Sequence, residues 1–484
     1  MTTTSELRHY VGGEWIDGHG DVYDDVNPSI PTDVVARGRS ATRADVDAAY
    51  RAARAALDGW RRTPARTRSR VLLGAADVIT AHREAWGREL AREEGKTRAE
   101  GVAEVGHAAN ILRFAAHQAD TASGEVYESP TPGERILVVR RPVGVVGAIT
   151  PFNFPISIPA WKLAPALVWG NTVVWKPATF VPLLAIRFAQ ALEQAGLPAG
   201  VLNLVSGDAE VGEAIVAHPD VDAVTFTGST RVGRLIASQL AARGVPFQGE
   251  LGGKNAALVL EDADLDLAAE NVAIGAFLAA GQKCTATSRV VVHEKVADRF
   301  LELLAERARA MTVGDALADG TVVGPLVDAM ARDRVCAAIA RARDHARVVH
   351  APDAEMTGSS AEGYFVAPSI FELPSEDPGE LWTEELFGPV VGVRRVASTE
   401  EGIALVNDSE YGLSTAVFTT NLSAALRAVE EIRAGVVHVN SPSAGADLHV
   451  PFGGVRASAL GPKEQGVAAR DFFTETATVY LRGQ

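Results

Sequence analysis

The stretch Gly281-Gln282-Lys283-Cys284-Thr285-Ala286-Thr287-Ser288-Arg289 lies between two segments of opposite character. The Ala-rich run from Leu265 to Ala280 has apolar residues three and four positions apart and predicts a helix, while Val290-Val291-Val292 predicts a strand. A break containing glycine and threonine lets the backbone approach a ligand and keeps a thiol reachable. Free cysteine is more often a small buried apolar residue, so this stretch alone leaves both interpretations of Cys284 open.

Length and charge describe an acidic globular protein of more than one domain. The chain has 484 residues, which is too long for one compact core. Its formal net charge of −15 argues against nucleic acid and anionic membranes as partners, because both need a basic surface. Residues 1–10 lack the apolar run of a signal peptide, and the apolar segment 156–170 contains a lysine and two prolines, so no membrane span is expected. We expect a cytoplasmic location.

The cysteine content excludes two kinds of stabilising site. Cys284 and Cys336 cannot form a metal cluster by themselves, and they do not suggest a disulfide framework, so no metal site is predicted. Cys336 lies in the segment 334–339, whose pattern is typical of a helix face. We interpret Cys336 as a core-packing residue.

The outer parts of the chain combine helices with isolated β segments. A Gly pair within Tyr10–Trp15 predicts a hairpin. The apolar residues of Thr42–Trp60 fall on one face at helical spacing and predict a helix that Thr42 or Asp45 could cap. Helical spacing recurs over 68–92 and 102–119. Residues 124–141 predict a protruding hairpin, and 474–481 predict a strand. These two β segments would be unpaired edges unless another chain covers them, which is the basis for expecting subunit contacts.

The central part of the chain alternates strands with helices. Near-continuous apolar strands with intervening helices imply a parallel sheet covered on both faces, and ligands bind at the carboxyl ends of such strands. The strands are predicted at Val145–Ile149, Thr172–Trp175, Val201–Val205 and Ala223–Phe226. The breaks that this arrangement brings together are Thr150–Pro155, Lys176–Thr179, Ser206–Asp208 and Thr227–Gly233.

Several further motifs follow one another in a recognisable order. Glu250-Leu251-Gly252-Gly253-Lys254 begins 34 positions before Cys284, and Glu384–Val390 and Pro451–Val455 follow it. With the breaks listed above, these motifs make the chain resemble the aldehyde dehydrogenase superfamily over nearly its whole length. The resemblance implies an α/β fold with a Rossmann-like cofactor domain (1–120 and 141–252), an α/β catalytic domain (253–464) and a small β oligomerisation arm (121–140 and 465–484).

The resemblance also implies catalytic roles. Cys284 would be the nucleophile, and its thiolate would add to an aldehyde carbonyl. The Asn153 side-chain amide and the Cys284 backbone N–H would donate to the resulting alkoxide. A thioester would remain after hydride transfer, and Glu250 would activate water to release the acid. Without Cys284 downstream, Glu250 would be interpreted as a solvated acid at a strand end.

The cofactor implied by the resemblance is NADP or NAD. Its predicted contacts are Lys176, Thr179, Gly228, Ser229, Gly233, Glu385 and Phe387. The turn at Gly228 does not have the GxGxxG spacing, so by itself it also fits an ordinary turn. Many relatives carry a Glu where this chain has Thr179. A missing carboxylate removes a repulsion against a 2′-phosphate, so we expect NADP to be accepted.

The substrate is less well defined by the sequence. The motifs look most like those of prokaryotic 2-oxoglutarate semialdehyde (2,5-dioxopentanoate) dehydrogenases, which implies a carboxylate-bearing aldehyde. Such a substrate needs a cation in its tunnel, and the candidates are Lys283, His107 and Arg113. Phe154 and Trp161 look like tunnel walls, although either residue also fits plain core.

Alternatives remain open at this stage. A broad or aromatic aldehyde dehydrogenase would share the same motifs. A CoA-acylating relative commonly lacks the acid at position 250, and an inactive cofactor-binding protein would be expected to have lost Cys284 or Asn153. A small-molecule aldehyde and a homodimer or homotetramer are the expected partners.

Overall fold

The computed structural model describes residues 4–121, 123–354, 356 and 358–483. The strands are β1 (Ser5–Leu7), β2 (His9–Val11), β3 (Glu14–Ile16), β4 (Val22–Val26), β5 (Val34–Arg39), β6 (Gly124–Glu128), β7 (Glu134–Pro142), β8 (Val145–Ile149), β9 (Thr172–Lys176), β10 (Leu202–Leu204), β11 (Ala223–Thr227), β12 (Phe247–Glu250), β13 (Asn255–Val259), β14 (Thr287–His293), β15 (Arg347–His350), β16 (Ser369–Glu372), β17 (Val390–Val396), β18 (Ser414–Phe418), β19 (Val436–Val439), β20 (Ala459–Leu460) and β21 (Thr474–Arg482).

The helices are α1 (Arg43–Arg62), α2 (Ala65–Ala81), α3 (Arg83–Glu94), α4 (Arg98–His117), α5 (Ser157–Val168), α6 (Pro182–Gln194), α7 (Ala209–Ala217), α8 (Thr230–Ala241), α9 (Leu265–Phe277), α10 (Glu294–Arg309), α11 (Ala329–His345), α12 (Glu380–Thr383), α13 (Thr399–Asn407), α14 (Leu422–Glu431) and α15 (Gly466–Phe473). Within the described ranges, no helix is both long enough and apolar enough to cross a bilayer.

Local sequence signals account for the first elements. Thr42 caps α1 through a reciprocal pair of hydrogen bonds with Asp45, and the predicted apolar stripe of this helix is buried. The Gly pair, Gly12 and Gly13, has positive φ and connects β2 to β3 as predicted.

The first large sheet has the strand order β20-β12-β11-β8-β9-β10-β2-β3. Its central strands, from β12 to β10, are parallel, which confirms the sheet that the apolar runs predicted. The breaks after these strands are hydrogen-bonded to one another. Thr150 N donates to the Lys176 carbonyl (3.1 Å), and the Thr179 hydroxyl donates to the Gly207 carbonyl (3.0 Å). The carboxyl edge of this sheet is therefore one continuous surface.

The second large sheet has the order β15-β16-β17-β14-β13-β18-β19 and is parallel except at β15. Its neighbouring strands β13 and β14 bring the Glu250 motif and the Cys284 stretch together. Glu250–Lys254 leads directly into β13, and the Cys284 stretch leads into β14, with Asn255 opposite Thr287. Because parallel neighbours begin at the same edge, the two motifs lie side by side. They occupy the region between the two large sheets, since Glu250 also ends β12 of the first one.

A small antiparallel sheet, here called the arm, consists of β6, β7 and β21. The C-terminal strand β21 pairs with β7 along its whole length, from Thr474 opposite Pro142 to Arg482 opposite Glu134. The predicted hairpin and C-terminal strand are thus partners of each other within one chain. Val126, Tyr127, Tyr480 and Leu481 remain exposed on the arm.

Two sequence predictions are corrected. The helix predicted to end at Ala280 ends at Phe277, because the following residues turn out of the helical conformation. Cys336 was predicted to pack in the core, but it is exposed on α11, where Val335 and Ala338 make the buried contacts instead.

Candidate active site

The turn that precedes Cys284 is left-handed. Ala279 (φ 54°, ψ 32°) and Ala280 (φ 51°, ψ 30°) both adopt this conformation, which costs an L-residue roughly 1–2 kcal/mol each. The Ala279 N–H donates to the Glu100 carboxylate at 2.8 Å. Gly281 continues the turn at φ 70°, where a Cβ would lie 2.3 Å from the Gly388 carbonyl oxygen. Contacts from distant segments therefore impose the turn on two residues that favour a helix.

Asn255 fixes the backbone on the other side of the nucleophile. Its amide nitrogen donates to the carbonyls of Cys284 (2.7 Å) and Ala286 (2.9 Å), while its oxygen accepts from Ser414 N (2.9 Å). Gly253 passes so close that a Cβ would lie 2.7 Å from the Cys284 carbonyl oxygen. The Cys284 loop is thus held between β13 and the strained turn.

The Cys284 thiol lies among acidic groups. Its side chain is partly exposed, so a small molecule can reach it. Burial, followed by the charges of Glu385, Glu250 and Glu464, raises the pKa of the Cys284 thiol to about 12. These effects make the thiolate less favourable in the free protein.

Glu250 is buried at the end of β12. Its carboxylate accepts hydrogen bonds from Gly454 N (3.2 Å) and from Gln248 Nε2 (3.4 Å). Burial first, and the charge of Glu464 second, raise the pKa of Glu250 well above its usual range, while Lys162 opposes them. A carboxyl group with a raised pKa in a cleft can act as a base once it has lost its proton.

Lys162 joins Glu464 to the first large sheet. Its ammonium lies on α5 and is 2.9 Å from the Glu464 carboxylate, and it also donates to Thr225 Oγ1 (3.0 Å) and Gln248 Oε1 (3.1 Å). Gln248 in turn contacts Glu250. The Gln248 amide therefore connects Glu250 with Lys162 through two hydrogen bonds.

Asn153 lies in the loop between β8 and α5. It is buried, and its carbonyl accepts a hydrogen bond from Lys96 Nζ at 2.7 Å. Its side-chain amide makes no hydrogen bond to any residue that the structure describes. The amide is therefore available to donate to a ligand.

The carboxyl edge of the first large sheet carries the predicted cofactor residues. Lys176 is buried, its Nζ donates to the Pro177 carbonyl (3.1 Å), and burial lowers its pKa to about 8. Ser229 caps α8 by accepting from Val232 N (3.4 Å). The Thr227 hydroxyl is buried without a partner among the described residues. A cation, an unpaired hydroxyl and a helix N-terminus at one edge fit a phosphate-bearing cofactor.

Two glycines at this edge pack too closely against their neighbours to carry a side chain. At Gly228 a Cβ would lie 2.5 Å from the Phe226 ring, and at Gly233 it would lie 2.3 Å from the Leu251 side chain. Gly228 N also donates to the Glu250 carbonyl at 3.1 Å. The turn that ends β11 is therefore bonded to the strand that ends in Glu250.

Glu385 and Phe387 lie on the opposite side of the cleft. Glu385 accepts a hydrogen bond from Gly253 N (2.8 Å), and burial raises its pKa to about 7. Its neighbour Glu384 is exposed. Phe387 has φ 54° and its ring meets Phe152 edge-on at 5.7 Å.

Of the residues predicted to line a tunnel, Trp161 belongs to an aromatic cluster and Phe154 contacts a lysine. Trp161 stacks on Phe452 (6.3 Å between ring centroids, 23° between planes) and meets His107 edge-on at 5.7 Å. Phe154 lies under the Lys96 ammonium at 4.3 Å. Burial lowers the pKa of His107, which favours the neutral form of this ring.

Two of the proposed cations are already occupied. Lys283 Nζ donates to the Ile274 carbonyl (3.0 Å), and burial lowers its pKa to about 8. Arg113 pairs with Asp77 (3.0 Å) and with the Thr80 hydroxyl (2.9 Å). Neither side chain is oriented as a free binding group.

Sequence reasoning missed several residues of this site: Lys96, Lys162, Asn255, Phe452 and Glu464. Lys162 had a detectable signal, because a lysine inside the most apolar segment of the chain needs a buried acidic partner. Phe452 lay within a motif that had been noted without any assigned role for this residue, and Glu464 had marked only the expected end of the catalytic domain. Nothing local marks Asn255 or Lys96.

Comparison with known proteins agrees with this geometry. The model of the aldehyde dehydrogenase family matches residues 15–479. The chain is 39% identical to the alpha-ketoglutaric semialdehyde dehydrogenase of Bacillus subtilis (100% of this chain, 99% of that protein). It is 40% identical to the 2,5-dioxopentanoate dehydrogenase of Saccharolobus solfataricus (98% of this chain, 99% of that protein).

A solved structure has the same fold. Betaine aldehyde dehydrogenase from Staphylococcus aureus, in complex with NAD+, superimposes with a TM-score of 0.93 at 32% identity, covering 98% of this chain and 94% of that one. The family match, the relatives and the common fold all extend over almost the whole sequence. The chain therefore belongs to the aldehyde dehydrogenase family.

Proposed function

We propose that the chain oxidises a carboxylate-bearing semialdehyde, such as 2,5-dioxopentanoate, to its acid with Cys284 as the nucleophile. The observation that carries this proposal is the meeting of the Glu250 and Cys284 motifs at the neighbouring strands β13 and β14, where Asn255 donates to the carbonyl of the partly exposed Cys284. The two full-length relatives named for this semialdehyde support the choice of substrate.

The proposed reaction begins with proton loss from the Cys284 thiol. The thiolate then forms a carbon–sulfur bond with the aldehyde, and the carbonyl oxygen becomes an alkoxide in a thiohemiacetal. The Asn153 amide, which has no partner among the described residues, and the Cys284 N–H are the proposed donors to that oxygen. When bound, the nicotinamide cofactor supplies the hydride acceptor. Loss of hydride from the thiohemiacetal leaves a thioester on Cys284.

Glu250 is the proposed base for hydrolysis. It takes a proton from water, the resulting hydroxide adds to the thioester carbonyl, and the carbon–sulfur bond breaks to release the acid and the thiolate. Gln248 donates to Glu250 and accepts from Lys162, which is ion-paired with Glu464, so these groups hold the Glu250 carboxylate in place for this step. A free carboxyl group at this position favours hydrolysis over transfer of the acyl group to CoA.

The cofactor contacts are proposed from position and chemistry. Lys176, Thr179 and Ser229 would bind the adenosine ribose and phosphates, next to Gly228 and Gly233. Glu385 would accept from the nicotinamide ribose hydroxyls, and Phe387 would pack beside that ring. Thr179 donates to the Gly207 carbonyl and brings no negative charge, which supports acceptance of NADP as well as NAD.

The substrate tunnel is proposed to run past Phe154, Trp161 and Phe452. Lys283 and Arg113 are committed to other partners, which leaves the neutral His107 as the remaining candidate for contact with a substrate carboxylate. A neutral imidazole recognises an anion less strongly than a guanidinium does. The tunnel is therefore proposed to accept neutral aldehydes too, with weaker discrimination than a fixed cation would give.

The arm is proposed to join subunits in a homodimer or homotetramer. Its edge strand β6 is exposed throughout, and the second large sheet ends in the edge strand β19, beside which α14 exposes Leu422, Leu426 and Val429. Unpaired edges with apolar surroundings are suited to pairing with another chain.

Asp substitutions at Tyr480 and Leu481 should then lower the mass in sedimentation equilibrium, and an unchanged mass would contradict the assignment. The domain boundaries given above and a cytoplasmic location are part of the same proposal.

An aldehyde panel tests the proposed substrate. Initial rates of NADPH and NADH formation are compared for 2,5-dioxopentanoate, succinate semialdehyde, benzaldehyde and an aliphatic aldehyde. A peak in kcat/KM for 2,5-dioxopentanoate is expected. A flat or aromatic-leaning profile would leave the family chemistry intact and contradict the substrate.

A further inference from the structure

The residues at the start of α4 contact both sides of the cleft that contains the thiol. Lys96, just before the helix, is buried, and its ammonium donates to the Asn153 carbonyl (2.7 Å) and to Glu104 Oε2 (2.5 Å). It also lies 4.3 Å from the centre of the Phe154 ring. One ammonium thus contacts two consecutive residues of the Asn153 loop.

Glu104 holds the far end of the same loop. Its second oxygen, Oε1, accepts hydrogen bonds from Ile156 N and Ser157 N (3.2 Å each), at the start of α5. The Ser157 hydroxyl donates back to the Glu104 carbonyl at 3.3 Å. The Lys96–Glu104 pair therefore fixes the loop at Asn153 and again three residues later.

Glu100 makes the corresponding contact on the Cys284 side. Its Oε1 accepts from Ala279 N (2.8 Å) in the left-handed turn, while its Oε2 accepts from the N–H and hydroxyl of Thr97 (2.9 Å each). The beginning of α4 is thus bonded to the loop before α5 through Lys96 and Glu104, and to the turn before Cys284 through Glu100.

We propose that Lys96, Glu104 and Glu100 are positioning residues that set the separation between the Asn153 amide and the Cys284 N–H. The inference rests on the proposed function, which makes these two groups the donors to the alkoxide. Misplacement of such donors by about 1 Å is enough to lower the rate on the order of 100-fold. The three residues act through the backbone of Asn153 and Ala279 and do not touch the substrate.

The chemistry of the cluster favours positioning over mere packing. Buried ion pairs are often no more stabilising than apolar side chains of similar volume, so stability alone does not require a lysine here. A second buried acid, Glu94, lies 3.9 Å from Lys96, and its Oε1 has no partner within the described residues. The Lys96 ammonium donates a hydrogen bond to the backbone carbonyl of Asn153, the proposed alkoxide donor, and an apolar side chain could not make this bond.

A double-mutant cycle tests the proposal on the whole enzyme. Lys96→Met should lower kcat by about 10- to 100-fold with little change in cofactor KM, and Asn153→Ala should lower it by about 100- to 1,000-fold. The double variant should be no slower than Asn153→Ala, because Lys96 acts only through Asn153. Losses that multiply would overturn the proposal. The surface variant Lys295→Met, which removes an ion-paired lysine far from the cleft, is the control.

Alkylation of Cys284 by iodoacetamide distinguishes misplacement of the Asn153 amide from a disturbance of the Cys284 loop. This reaction forms no alkoxide, so its rate should be unchanged in Lys96→Met. A fall equal to the loss of kcat would overturn the proposal, because the thiol loop itself would then be disturbed. If Lys96→Met does not fold, the charge-neutral pair Lys96→Met with Glu104→Gln replaces it, and full activity of that pair would also overturn the proposal. Full activity of Asn153→Ala would instead contradict the proposed function.

Discussion

The Lys162 ammonium lies 2.9 Å from the Glu464 carboxylate, and these two partners act in opposite directions on Glu250. After burial, the charge of Glu464 is the next largest cause that raises the pKa of Glu250, whereas Lys162 lowers it. A base must be deprotonated to act, so activity that depends on Glu250 is lost as the pH falls through this raised pKa.

Removing the charge of Glu464 and removing the charge of Lys162 should therefore shift the profile of kcat against pH in opposite directions. Glu464→Gln removes a cause that raises the Glu250 pKa, so the acid limb of kcat should move to lower pH. Lys162→Met removes a cause that lowers this pKa, and the limb should move to higher pH. The profile of kcat against pH is the measurement, with Lys295→Met as a surface control. Shifts in the same direction for both variants would show that Glu250 does not govern this limb.

Lys162→Met should also lower stability. It leaves the buried Glu464 carboxylate without its cation, and breaking a buried pair in this way costs about 3–5 kcal/mol. Denaturant unfolding of Lys162→Met and of the double variant Lys162→Met/Glu464→Gln measures the cost. The double variant should recover part of the loss, and no recovery would contradict a dominant role for the unpaired charge.

Position 179 should control the choice of cofactor. Thr179→Glu places a carboxylate where a 2′-phosphate is expected, and juxtaposed like charges cost several kcal/mol. We expect kcat/KM with NADP to fall about tenfold or more while the value with NAD changes little. Thr179→Gln, which adds similar bulk without charge, is the matched control. An equal loss of kcat/KM with NADP and NAD in Thr179→Glu would mean that the adenosine ribose does not bind next to residue 179.

The acidic surroundings of Cys284 should be visible in its reactivity. Because burial and three carboxyl groups raise the thiol pKa to about 12, little thiolate exists near neutral pH in the free protein. Alkylation of Cys284 in a Cys336→Ser background should keep accelerating with pH beyond the usual cysteine pKa of about 8.5. A plateau at that ordinary value would mean that the thiol is not shifted.

The sequence alone predicted the elements whose pattern is local. Continuous apolar strands predicted the parallel sheet, and the apolar stripe with Thr42 or Asp45 as a possible cap predicted α1, where the structure shows that Thr42 is the cap. The residues of the motifs and their order along the chain indicated the family.

What the sequence did not predict depends on distant contacts. Ala279 and Ala280 are strong helix formers, but they adopt a left-handed turn in which Ala279 N donates to Glu100 and Gly281 packs against Gly388. Lys283 was placed beside the nucleophile by sequence, but its side chain turns back to Ile274. Cys336 follows the buried Val335 on α11, and its exposure depends on which face of that helix the sheet covers.

The most direct test of the central claim is to trap the acyl group on Cys284. Glu250→Gln keeps the shape of the side chain and removes the proposed base, so hydrolysis should slow by about 100-fold or more. Intact-protein mass spectrometry after acid quenching of this variant with 2,5-dioxopentanoate and NADP should show one acyl group per subunit. Peptide mapping should assign it to Cys284, and Cys284→Ser should show none. Absence of the adduct in Glu250→Gln, or undiminished turnover by Cys284→Ser, would contradict the thioester mechanism.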